Sequence, residues 1–71
     1  MTADELDRKA RELTDEIATK APGTRHRELR RLHEVMADYS RAGRATPAVL
    51  RRLLEELTTE AVESRFENVP V

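Results

Sequence analysis

Leu6, Ala10, Leu13 and Ile17 recur at spacings of 4, 3 and 4 residues, with charged residues on both sides. Leu29, Leu32, Met36 and Tyr39 repeat the rhythm, and Leu50, Leu53, Leu54, Leu57 and Ala61 form a third run. Such spacing places each set on one stripe of an α-helix and is incompatible with the alternation of a half-buried strand. Three stripes separated by turn residues therefore predict an all-α chain.

The ends of the helices are written locally. Thr2, followed three residues later by Glu5, has the pattern of a capping box, and Asp4, Glu5 and Asp7 suit the positive end of the helix dipole. This first helix is expected over about 3–20, stopped by Ala21-Pro22-Gly23. Thr24 is the candidate cap of a second helix over about 25–42, which Gly43 ends. In Thr46-Pro47 a cap precedes a proline at the first helical position, opening a third helix over about 47–65. Residues 66–71 are expected as a loose tail. Connections this short make successive helices antiparallel neighbours, so the predicted fold is a single three-helix up-down-up bundle over 1–71. Each stripe is narrow, which leaves a helical pair completed only in a dimer as the rival arrangement.

Seventy-one residues without a cysteine exclude a disulfide scaffold, and nothing in the chain is apolar enough to span a membrane. A core this small leaves little room for a ligand cavity, so no small-molecule pocket is expected. The acidic start, Met1 to Glu5, lacks the apolar segment of an export signal, and a cytoplasmic location is the expectation.

Net charge is −1, but the balance is uneven. Residues 1–20 hold four basic and six acidic groups, residues 21–45 six and three, and residues 46–71 three and five. The basic middle is concentrated in Arg25, His26, Arg27, Arg30 and Arg31, at a helix start where positive charge opposes the dipole. An external anion, nucleic-acid phosphate or an acidic partner, would offset this through Arg25, Arg27, Arg30 and Arg31. Internal pairing is the simpler account. In an up-down-up bundle the second helix starts beside Glu60, Glu63 and Glu67, while Asp4, Glu5 and Asp7 lie near Arg41, Arg44, Arg51 and Arg52 at the other pole. The second helix, the turn at 42–46 and the third helix resemble a helix-turn-helix at low resolution. The would-be recognition helix, however, carries Glu55, Glu56 and Glu60, which phosphates repel.

No enzymatic constellation emerges. His26 and His33 lie about 10 Å apart along a helix, too far to share a metal ion. Ser40 and Ser64 have no histidine one turn away, and the two glycines make no phosphate loop. The expectation is a non-enzyme without metal or cofactor.

Val35, Val49, Val62 and Phe66 fall off the core stripes. Val62 and Phe66 are four apart, and Val69 and Val71 extend the apolar character. These four form the candidate partner-binding patch of a small cytoplasmic interaction module, which self-associates or binds another protein. The alternative is a nucleic-acid binder using the basic start of the second helix. If Phe66 instead caps the end of the bundle, the patch is part of the core.

Overall fold

The computed structural model describes residues 2–67, with side chains through position 65. Three α-helices run α1 (Ala3–Ala18), α2 (Leu29–Arg41) and α3 (Ala48–Glu67), and a 3-10 turn (Arg25–Glu28) leads directly into α2. Pairs joining α1 to α2 run from Lys9–Asp38 toward one end to Glu16–Arg31 toward the other, an antiparallel arrangement. Glu60 near the end of α3 meets Arg25 at the start of the 3-10 turn, so α3 is antiparallel to the second helical segment and parallel to α1. The up-down-up bundle follows.

Local chemistry sets most boundaries. The Glu5 amide donates to Thr2 Oγ1 at 3.2 Å, the cap expected at the start of α1. That helix stops at Ala18 rather than 20, because the Thr19 and Lys20 amides turn to Glu16 and Ile17 and tighten the last turn. At the end of α2 the Gly43 amide donates to the Ser40 carbonyl and the Arg44 amide to the Tyr39 carbonyl. This Schellman closure needs a left-handed residue, and Gly43 supplies it with φ +70.

Two expected caps are not used. Thr24 Oγ1 donates back to the Ala21 carbonyl and makes no side-chain cap. The first helical bonds of α3 go from the Leu50 and Arg51 amides to Pro47, so Pro47 stands where Thr46 was expected. α3 also continues to Glu67, two residues past the expected 65, so positions 66 and 67 are helical rather than tail.

The core sits along the three stripes. Leu6, Ala10, Leu13, Ile17, Leu32, Tyr39, Leu50, Leu53 and Leu57 are buried, and Leu29, Met36 and Leu54 pack partly buried against them. Val35 corrects the expected stripe of α2, because it is buried while Met36 is only half-buried. α2 is the middle helix and must bury two flanks. Val35 lies on the flank of Arg31 and Asp38, both of which reach across to α1. Among the described residues no helix is long and apolar enough to cross a membrane.

Candidate functional site

Glu60 continues the Leu50, Leu53, Leu57 stripe of α3 at a spacing of three and is buried with it. A carboxylate at a core position needs donors on several sides. The Gly23 amide supplies one at 2.9 Å and the Arg25 amide another at 3.2 Å, both to Oε1. The Arg25 guanidinium grips Oε2 through Nε at 2.7 Å and through Nη2. Glu56, one turn earlier, lies 3.7 Å from the same guanidinium. Glu60 thus caps the second helical segment from another helix, filling the role that Thr24 does not take. Its negative charge also offsets the dipole conflict of a basic helix start. Burial alone would raise the Glu60 pKa, but the Arg25 side chain and the amides of Gly23 and Arg25 outweigh it and hold the carboxyl below its ordinary value of 4.5.

The structure divides the four arginines of the basic block. Arg25 is bound to Glu60 and Glu56. Arg31 bridges Glu16 of α1 at 2.8 Å and Glu28 at 3.1 Å, rather than the acidic end of α3. Arg27 and Arg30 are exposed and make no ion pair among the described residues. The expected pole of four arginines against Glu60, Glu63 and Glu67 is therefore carried by one arginine and one glutamate of those sets.

The other pole is also built differently. Among the described residues Asp4, Glu5 and Asp7 form no ion pair with Arg41, Arg44, Arg51 or Arg52. Asp38 instead binds Lys9 at 3.0 Å and pairs with Arg41. Its carboxyl is lowered first by the Lys9 hydrogen bond and then by that of Arg41. Asp7 accepts the Tyr39 hydroxyl at 2.7 Å. The buried ring and this acceptor both favour the protonated phenol, whose pKa is pushed up to about 12.

A groove of about 250 Å³ opens between α1 and the start of α3, lined by Asp7, Ala10, Arg11, Tyr39, Pro47 and Val49 among others. It falls below the roughly 300–1,000 Å³ of typical small-molecule sites and suits a single side chain better. No sequence signal announced it, because it depends on how far α1 stands from Val49. His26 sits half-buried in the 3-10 turn, and its Nδ1 finds no hydrogen-bond partner among the described residues.

The candidate patch is partly in view. Val62 is 47% exposed on the outside of α3, and Val49 is 48% exposed at the opposite end of the same helix. Thirteen residues of α-helix separate the two by about 20 Å, so they do not form one surface. The Phe66 side chain, Val69 and Val71 lie outside the described residues. Comparison with known protein families, curated proteins and solved structures finds no match to this chain.

Proposed function

We propose that the chain is a small non-enzymatic interaction module that self-associates through the C-terminal end of α3. The observation that carries this reading is Val62. It is half-exposed on a helix whose leucines at 50, 53 and 57 are buried. Position 66, the only phenylalanine in the chain, follows one turn later within the same helix. Val69 and Val71 then extend the apolar run. Burying such a patch against a second polypeptide removes apolar surface from water, and a net charge of −1 imposes little repulsion between copies.

The nucleic-acid alternative has less support. Two of its four arginines, Arg25 and Arg31, already bind carboxylates of the same chain. Those carboxylates would repel an incoming phosphate.

Sedimentation equilibrium from micromolar to millimolar concentration tests the proposal. The wild type should rise above 8.1 kDa with concentration. Val62→Asp and Phe66→Ala should each lower that rise without unfolding the bundle. A wild type that stays at monomer mass throughout refutes it.

A further inference from the structure

The groove between α1 and the start of α3 has an apolar interior because its polar atoms are already spent. Thr14 Oγ1 donates to the Ala10 carbonyl at 2.8 Å, and the Tyr39 hydroxyl donates to Asp7 at 2.7 Å. What remains in the lining is Ala10, the Tyr39 ring, Pro47 and half-exposed Val49.

The rim is charged and unbalanced. Arg11 lines the groove and makes no ion pair among the described residues, although Asp7 and Asp15 stand one turn to either side of it on α1. Arg44 is held beside Tyr39, since its amide donates to the Tyr39 carbonyl at 3.0 Å and its charge opposes the rise of the phenol pKa. It too makes no ion pair among the described residues. Among those residues Asp7 is the one carboxylate in the lining, and the Tyr39 hydroxyl already occupies it. Two guanidinium groups against one carboxylate leave the rim with a surplus of positive charge.

An apolar notch with a cationic rim is complementary to an apolar body that carries a carboxylate close by, and a guanidinium suits a carboxylate's planar geometry. Size selects the source of that group. A free small molecule is normally enclosed on most sides, in a cavity of roughly 300–1,000 Å³. This groove is about 250 Å³ and open to solvent along one side. The last residue of a polypeptide fits both features. Its side chain enters, its terminal carboxylate lies at the rim, and the preceding residues leave through the open side. An internal apolar residue lacks the carboxylate, and an aspartate or glutamate lacks the apolar body.

We propose that the groove beside Val49 binds the C-terminal residue of a partner polypeptide, with an aliphatic side chain between Ala10, Tyr39 and Val49 and its carboxylate at Arg11 and Arg44. This surface is separate from the C-terminal end of α3, so the proposal is independent of the self-association reading. One aliphatic side chain and one charge-assisted contact support a weak complex, with a Kd of about 1 mM.

The test follows amide chemical shifts in two-dimensional NMR as an N-acetylated tetrapeptide of three alanines and a terminal leucine is added up to about 10 mM. Circular dichroism confirms that each variant is helical. The signals of Ala10, Arg11, Tyr39 and Val49 should shift and saturate with a Kd of about 1 mM. The same peptide closed as a terminal amide should bind about tenfold more weakly, and so should the free acid to Arg11→Gln or Arg44→Gln. Asp7→Asn keeps an acceptor for the Tyr39 hydroxyl but removes a negative charge, so it should tighten binding about threefold, which a merely structural role for Asp7 would not do. Isocaproate offers the same side chain and carboxylate without a chain, and should bind no more tightly than the peptide. Isocaproate binding at least tenfold more tightly means that the preceding residues obstruct, and refutes a polypeptide occupant. Acid and amide peptides that bind alike, shifts centred on Arg27 and Arg30 instead of the groove, or no shift at about 10 mM each refute the proposal.

Discussion

Removing the Glu60 carboxylate should damage the bundle more than removing any other charged side chain. The side chain accepts two backbone amides and two bonds from a guanidinium, and it is the main polar tie between α3 and the loop that precedes α2. The Arg25 side chain is 22% exposed and that of Glu60 10%, so the pair lies between two regimes. Exposed pairs contribute about 0–1 kcal/mol, while breaking a buried pair costs about 3–5 kcal/mol. The two amides add about 0.5–1.5 kcal/mol each, discounted because Gly23 is exposed and water can replace the lost acceptor. Together these place Glu60→Ala at about 2–4 kcal/mol of destabilisation. A chain of 71 residues is stable by about 4–10 kcal/mol, so this is a large fraction of the total. Each kcal/mol moves Tm by roughly 4–8 °C in a domain of this size. Thermal melts followed by circular dichroism at neutral pH should therefore show a fall of at least about 8 °C. Glu60→Gln keeps an oxygen acceptor for the amides and should recover part of the loss, and a double-mutant cycle with Arg25→Ala should show strong coupling. A Glu60→Ala variant within about 0.5 kcal/mol of wild type would refute the view that this carboxylate fastens α3 to the α1–α2 loop.

Further expectations follow from the same contacts. Because the Glu60 pKa is lowered on folding, its contribution is present above 4.5 and is lost as pH falls through the lower folded value. Acid titration of Tm should steepen below that point in wild type and be shallower in Glu60→Gln. Tyr39 has the opposite sign, since its pKa rises from 10.0 to about 12 on folding. Its contribution is complete below pH 10 and lost between 10 and 12, and alkaline melts of Tyr39→Phe should lack that step. Thr2→Ala removes the cap of α1 and should cost about 1 kcal/mol in a urea titration. Gly43→Ala forces a side chain into φ +70 with nothing nearby to hold it, and should cost about 1 kcal/mol through backbone strain alone.

Apolar spacing made the three helices legible in the sequence, and the Thr2 cap and the Gly43 stop were legible from residue type. Tyr39 was legible as a core position on the stripe of α2, and it is buried there with its hydroxyl bonded to Asp7. The burial of Val35 was not legible, because the stripe of one helix does not reveal that α2 has neighbours on two flanks. Glu60 carried a readable signal, a carboxylate three residues beyond Leu57 on the core stripe, yet its grouping with Glu63 and Glu67 concealed it. The ion pairs of the opposite pole were not legible, because proximity of charges at one end of a bundle does not fix which side chains meet. Arg41 found Asp38 three residues back on its own helix, a closer partner than anything α1 offers.

By itself the sequence determined helix number, approximate ends and the buried face of α1, since these depend on interactions within a few residues of one another. Tertiary structure alone decided that Glu60 caps a helix 35 positions away, that Arg25 rather than Arg30 or Arg31 answers it, and that a groove opens beside Val49. Those outcomes depend on the rotation and separation of whole helices. Such quantities are fixed by the packing of all three stripes at once, and no single segment encodes them.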